Sequence, residues 1–258
     1  MPVSAESVPV EVTLRGNVGS RAGGYARTKV ANALGVAGRP VLHARVVLDR
    51  RHDPAVARHA MAEATVDVDG ATVRATSVAP TMTEAVDQLE YRLRRRLVQL
   101  GDRERTRHRW TGAASEHEWR HGDVPRQVAP YFPRPVESRE VLRRKSFASA
   151  PMTVDEAAYE MDLLDHDFFL YVDAATGTPA VVHRLPDGGY AVQGGADDSA
   201  VASVTHQPPP AGLTDDEARR RLDADGEPFV FYLDRETGEG RVIYRRYDGH
   251  YGLITLAG

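Results

Sequence analysis

The sequence of 258 residues contains no cysteine, and only 7% of its residues are aromatic. Without cysteine the chain forms neither a disulfide nor a thiolate zinc site, which makes a reducing cytoplasm the simplest expected location. No apolar run approaches the ~20 residues that a membrane-spanning helix needs. The N-terminus also lacks the basic-then-apolar order of a secretory signal. A glycine-rich phosphate loop and a nucleophile with a recognisable partner are missing too, so we expect a cytoplasmic non-enzyme with no cofactor and no metal.

The net charge of −4 hides an uneven distribution of charge along the chain. Residues 8–110 carry 18 Lys and Arg against 11 Asp and Glu, whereas residues 151–258 carry 8 against 20. A basic front and an acidic back predict two modules with different partners. The front is suited to binding a polyanion, and the back would be repelled by one.

The first hundred residues predict an α+β domain. Its expected elements are a strand at 10–15, a helix at 25–34, a strand at 41–48, two strands turned at Asp69-Gly70, and a long helix at 83–100. The order β-α-β-β-β-α implies two helices packed on one face of a four-stranded sheet. We assign this domain to residues 8–106, followed by an Arg- and Pro-rich flexible linker at 107–146.

The acidic half contains an internal repeat. A shift of 61 residues superimposes Phe168 on Phe229, and Thr176-Gly177 on Thr237-Gly238, without a gap over roughly forty positions. Each copy predicts a short helix followed by three strands. We therefore expect two tandem β-rich domains, at 147–197 and 208–258.

The two helices of the basic domain carry the candidate RNA contacts. Guanidinium groups suit bidentate contacts to phosphate, and RNA helices are bound mainly through backbone and shape. A run of arginines is often only a solvated helix face, but few acids alternate with these arginines, and that favours a binding surface. The candidates are Arg21, Tyr25 and Lys29 on the first helix, and Arg92, Arg95, Arg96, Gln99 and Arg103 on the second.

Two motifs suggest catalysis, and both are better explained otherwise. His117–His121 matches the H-E-x-x-H pattern of zinc metalloproteases, in which two histidines one helical turn apart hold the metal. This pattern lies in the linker, with no apolar face to bury, so a chance match is favoured over the metalloprotease alternative. Asp165-His166-Asp167 aligns with Gly226-Glu227-Pro228 in the second copy, which favours a polar turn over a duplicated acid–base site.

The central strands of the repeats are apolar at every position, which is typical of strands buried on both faces. A small sheet with one helix covers only one face by itself, so the other face requires a second sheet or the N-terminal domain. The residues predicted to pair the two repeats are Phe168, Phe169, Tyr171, Val182, Tyr190, Phe229, Phe231, Tyr232, Ile243 and Tyr251.

These residues resemble the long ribosome hibernation promoting factors. The similarity in the acidic half is carried by Arg143–Phe147, Pro151–Ala157, Met161–Leu164, His166–Phe169, Val182–Arg184 and Asp187–Tyr190. In the basic half, Ala85–Asp87 and Arg92–Arg96 are similar to the last helix of the family's N-terminal domain, and Lys29 stands near a basic position of its first helix. Asn32 and the Gly23-Gly24 pair depart from the family pattern.

The resemblance implies a domain that occupies the channel used by messenger RNA and by A- and P-site transfer RNA, with the small ribosomal subunit and its 16S rRNA as partners. It also implies a C-terminal domain that pairs between two molecules and joins two ribosomes. Because this chain has two copies joined by Pro208-Pro209-Pro210, we hypothesise that they pair with each other and keep 70S ribosomes single.

Two alternatives and one further expectation remain at this point. Pairing between chains, giving 100S ribosome dimers, competes with pairing inside the chain. The acidic half is expected to contact basic ribosomal proteins. A general RNA-binding or transcription-modulating protein is the alternative function for the basic domain.

Overall fold

A computed structural model describes residues 8–50, 60–109 (backbone only over 102–109), 131, 133–147, 150–185, 189–196 and 204–256. The chain divides into two compact units, an N-terminal unit drawn mainly from residues 1–115 and a C-terminal unit drawn mainly from residues 130–258.

The N-terminal unit has the predicted order of elements. They are β1 (Val10–Gly16), α1 (Ser20–Leu34), β2 (Val41–Arg50), β3 (Ala60–Val68), β4 (Ala71–Ala79) and α2 (Met82–Arg109). The C-terminal unit contains β5 (Val141–Phe147), α3 (Val154–Leu163), β6 (Phe168–Val172), β7 (Pro179–Arg184), β8 (Tyr190–Gln193), β9 (Val204–Gln207), β10 (Ala211–Leu213), α4 (Asp215–Asp225), β11 (Phe229–Asp234), β12 (Gly240–Arg245) and β13 (Tyr251–Leu256).

The N-terminal sheet has the strand order β1-β2-β3-β4, with β1 parallel to β2 and the other pairs antiparallel. Ala62, Ala64 and Val66 are fully buried, and they alternate with half-buried polar residues along β3. Such alternation turns one face of the sheet towards the core. Asp69 and Gly70 both have positive φ, as the predicted two-residue hairpin turn requires. The predicted α+β fold of this domain is confirmed.

The C-terminal unit consists of two sheets that exchange strands. Sheet β6-β7-β8-β9 contains the first copy of the repeat, and sheet β10-β11-β12-β13-β5 contains the second. β5 precedes the first copy in sequence but pairs with β13 of the second, and β9 precedes the second copy but pairs with β8 of the first. Because β5 and β9 correspond under the 61-residue shift, the exchange is reciprocal.

This exchange corrects the predicted boundaries. Residues 141–146, assigned from the sequence to a flexible linker, form most of β5 and complete the sheet of the second copy. The pattern was hidden because five consecutive side chains of β5 are exposed, so the strand shows no apolar alternation. Each copy does contain the predicted helix and the three strands after it. The exchange adds a fourth strand to each sheet, and β10 adds a fifth to the sheet of the second copy.

Each copy also makes the same polar contact within its own turn, at Thr176-Gly177 in the first copy and at Thr237-Gly238 in the second. The Asp173 carboxylate accepts a hydrogen bond from the backbone N–H of Thr176 at 2.8 Å, and Asp234 accepts one from Thr237 at 2.9 Å. These bonds to the ionised form lower the pKa of both carboxyl groups, against the opposing effect of burial. The repeat therefore extends from the sequence to individual hydrogen bonds.

Candidate nucleic-acid interface

Helix α2 presents one face to the sheet and the other to solvent. Thr81 and Glu84 form a reciprocal capping box at its start, each side chain accepting from the other residue's backbone N–H at 3.3 Å. Leu89 and Leu93 are fully buried against the sheet. This packing fixes which arginines of the helix can meet a partner.

Two of the predicted RNA contacts turn towards the sheet instead. Arg96 is only 5% exposed and its guanidinium donates to the carbonyl oxygen of Arg74, while Nη1 of Arg92 donates to the carbonyl oxygen of Thr76 at 3.2 Å. Arg96 follows Leu89 by seven positions, about two helical turns, so it shares the buried face. The prediction of Arg96 as an RNA contact required a side chain that faces solvent, and the buried position of Arg96 corrects it.

Two predicted contacts on α1 are engaged by acids of α2. The Tyr25 hydroxyl donates to Asp87 at 2.6 Å, and the Lys29 ammonium pairs with Asp87 at 3.0 Å and with Glu90 at 2.8 Å. Hydrogen bonds to Glu90 and then Asp87 hold the pKa of Lys29 above its ordinary value. Hydrogen bonds from Tyr25 and then Lys29 lower the pKa of Asp87. These side chains join the two helices, and their role in RNA binding stays a prediction.

The remaining candidates differ in exposure. Arg21 and Gln99 are exposed and Arg95 is half-buried, whereas the side chain of Arg103 lies outside the described residues. Sequence reasoning missed Arg94, which is exposed, and Tyr91, which is 57% exposed. A helical wheel centred on the buried leucines would have placed both on the outward side. We call Tyr91, Arg94, Arg95 and Gln99 the outer α2 surface.

The outer α2 surface has the chemistry of an RNA contact. Arg94 and Arg95 follow Tyr91 by three and four positions, so the three side chains share the outward side of one helical turn. Guanidinium groups bind phosphate oxygens, and an exposed aromatic ring can stack on an unpaired base. On the open face of the sheet, Arg74 pairs with Glu63 at 2.7 Å. The helices combine exposed guanidinium groups with an exposed aromatic ring, which makes the outer α2 surface the candidate for binding a polyanion.

A second candidate surface is the apolar layer between the two C-terminal sheets. The rings of Phe168 and Phe229 stack with their centroids 4.6 Å apart, and Phe231 is 3% exposed in the same layer. The layer consists of buried Leu170, Val181, Phe231, Val242 and Leu256, with Phe147, Phe168, Val172, Phe229, Leu233 and Ile254 packed around them.

Seven of the ten predicted pairing residues lie on the other face of their sheet. Phe169, Tyr171, Val182 and Tyr190 pack in the cluster under α3, and Tyr232, Ile243 and Tyr251 pack in the cluster under α4. Neighbouring residues of a strand point to opposite faces, so a strand that is apolar throughout supplies two layers. The prediction that these seven residues lie in the pairing layer is therefore corrected. Counting alternate residues from Phe231 along the strand would have separated the side chains that face the other sheet from those that face the helix.

The structure offers no support for a metal centre within its described ranges. No group of three or more His, Asp or Glu side chains there could hold a metal ion. The motif at 117–121 lies outside those ranges. Among the helices that are described, none is long and apolar enough to cross a membrane.

Family models match the N-terminal unit and both C-terminal copies of the repeat. Residues 10–105 match the family of sigma 54 modulation protein / S30EA ribosomal protein, and residues 136–192 and 201–253 each match its C-terminal domain. Both C-terminal matches begin before the exchanged strand, β5 in one case and β9 in the other.

Curated relatives align over part of their length. A dormancy associated translation inhibitor of Mycobacterium tuberculosis is 33% identical over 160 residues, 52% of this chain and 58% of its own. A ribosome hibernation promotion factor of Lactococcus lactis is 29% identical over 136 residues, 52% of this chain and 70% of its own. The solved N-terminal domain of Thermus thermophilus Protein Y is 22% identical, covering 35% of this chain and 97% of that domain with a TM-score of 0.30. The two family models, one of them matched twice, show that this chain belongs to the sigma 54 modulation/S30EA ribosomal protein family, as a long form whose C-terminal domain is repeated.

Proposed function

We propose that this protein is a ribosome hibernation factor. Its N-terminal unit binds the small subunit in the region used by messenger RNA and by A- and P-site transfer RNA, inhibits translation and protects idle ribosomes. The proposal is supported by the names of its relatives, a translation inhibitor and a ribosome hibernation promotion factor. The observation that carries it is the outer α2 surface, with adjacent guanidinium groups beside an exposed tyrosine.

The partner of this surface is 16S rRNA in the proposed site. Arg21 on α1 adds a further exposed cation to the same pair of helices. Cations on a rigid helix pair bind the shape of an RNA backbone without reading its sequence. A general RNA-binding or transcription-modulating protein would use the same side chains on free RNA, so the preference for assembled subunits separates the two functions.

Binding to small subunits is expected to weaken steeply with salt. If about three phosphates are contacted, raising monovalent salt from about 50 to about 200 mM should lower the affinity about 20-fold, because bound counterions are released. Cosedimentation with purified small subunits measures this slope. Competition by an excess of unrelated duplex RNA is the control: loss of binding to the subunits favours the general RNA-binding alternative, and a flat salt response contradicts the RNA contact.

We further propose that the two C-terminal copies pair with each other within one chain. Supporting this are the reciprocal exchange of β5 and β9 and the stacking of Phe168 on Phe229 in one apolar layer. A tethered copy has an effective concentration of roughly millimolar, which a second molecule rarely matches. The surface that joins two chains in single-copy family members is then occupied internally.

Ribosomes saturated with this factor are therefore expected to sediment as single 70S particles. Sucrose-gradient sedimentation at saturating factor measures the distribution, with a long family member that has one C-terminal domain as the positive control for pairing. A 100S peak of similar size with both factors would show that the copies still pair between chains.

A further inference from the structure

The outer edge of β5 is a positively charged border on an acidic unit. β5 is the last strand of its sheet and has one neighbour, β13. Its side chains from Leu142 to Ser146 are all exposed, and three of them in a row are Arg143, Arg144 and Lys145. Edge strands also present backbone N–H groups outwards, which adds donors to these cations.

The charges of Arg143 and Arg144 are little neutralised within the unit. Nη1 of Arg144 lies 3.7 Å from Asp215, and the Arg144 side chain is 66% exposed, so this is a weak surface pair. Arg143 takes part in none of the ion pairs found among the described residues. Successive side chains of a strand point to opposite faces, so Arg143 and Lys145 flank the edge on one side and Arg144 on the other.

Protection of the edge against aggregation is a common reason for such charges. The equivalent edge of the other sheet tests this explanation inside the same molecule. β9 is also a last strand with one neighbour, and its sequence, Val204–Gln207, carries no Lys, Arg, Asp or Glu. An uncharged edge is therefore compatible with this architecture, and the charges of β5 require another reason.

We propose that the β5 edge binds an RNA backbone and gives the C-terminal unit a single, directional contact to ribosomal RNA. Three adjacent cations along an extended strand match a run of phosphates, whereas the equivalent β9 edge offers none. The pseudo-symmetric pair of sheets then docks in one orientation only. The inference rests on the proposed function only for the identity of the RNA. Basic ribosomal proteins are the competing partner of the acidic unit.

The test replaces the three cations in the full chain. The variant Arg143→Gln/Arg144→Gln/Lys145→Gln is compared with Arg219→Gln/Arg220→Gln/Arg221→Gln on α4. The control removes the same charge from the same unit, but its Arg219 pairs with Asp216 at 2.9 Å and its Arg221 with Asp225 at 3.3 Å. The β5 variant should bind small subunits about tenfold more weakly at about 0.1 M salt, with a salt slope lower by about 2. The α4 variant should bind as the parent does.

A photocrosslinker at Ser146 identifies the partner, with the equivalent Gln207 as the matched position. We expect crosslinks to RNA from Ser146 and none from Gln207. Equal weakening by both charge variants, or crosslinks from Ser146 to protein, overturns the inference. The same titrations with protein-free 16S rRNA separate this inference from the proposed function. If the protein binds naked 16S rRNA through β5 but does not bind small subunits, only the proposed function is contradicted.

Discussion

Arg94→Glu/Arg95→Glu is expected to lower the affinity for small subunits about 100-fold at physiological salt. The change reverses two charges on the outer α2 surface, so contacts to phosphate become repulsions. Neither side chain is fully buried, so the fold is expected to persist. Cosedimentation measures the affinity, and a thermal melt of the variant confirms the fold.

The control is Arg15→Glu/Arg45→Glu, which makes the same charge change at two exposed positions of the N-terminal sheet. This variant should lose far less affinity. Equal losses would mean that binding depends on the overall charge of the unit, and no loss from the α2 variant would place the RNA contact elsewhere. Charge reversal at Arg96 is unsuitable as a test, because that side chain is buried and its replacement would damage the fold.

Phe168→Cys/Phe229→Cys is expected to crosslink within one chain. The native sequence has no cysteine, so a short bismaleimide reagent reacts only at the two introduced thiols. The native rings lie 4.6 Å apart between centroids, which places the two positions in contact across the apolar layer. Nearly all crosslinked protein should migrate as a monomer on a denaturing gel, at every protein concentration.

Each single variant, Phe168→Cys or Phe229→Cys, is the matched control and should give little crosslinked product. If the double variant is denatured before crosslinking, its two thiols should no longer lie close together, and little crosslinked product should form. Dimer bands that strengthen with protein concentration would show that Phe168 meets Phe229 of another chain, and the single-ribosome proposal would then fail together with intrachain pairing.

Helix α2 shows how much of a binding surface can be predicted from the spacing of residues in the sequence. The prediction of a long helix packed on one face of the sheet is confirmed, because the spacing of apolar residues that indicates such a helix is a local property of the chain. The predicted RNA contacts on this helix included Arg96, which shares the buried face of Leu89. Tyr91 and Arg94 could have been predicted from the sequence by drawing a helical wheel centred on the buried leucines.

The repeat strands show a different limit. An unbroken apolar strand correctly indicated burial on both faces, but it does not say which face meets the helix and which meets the other sheet. That choice is made by packing: Phe231 and Tyr232 are neighbours in sequence and lie in separate clusters. The pairing residues predicted from these apolar strands therefore came from two different layers.

Residue types and short-range spacing were sufficient to predict the order of elements in the N-terminal domain, the turn at Asp69-Gly70, the duplication, the division of charge and the family resemblance. A single chain displays these properties directly. Packing in three dimensions sets which arginines face outwards, and it places β5 in the sheet of the distant copy. Lys145 and Thr255, which meet across β5 and β13, are 110 residues apart, and no local pattern encodes a pairing between strands so far separated.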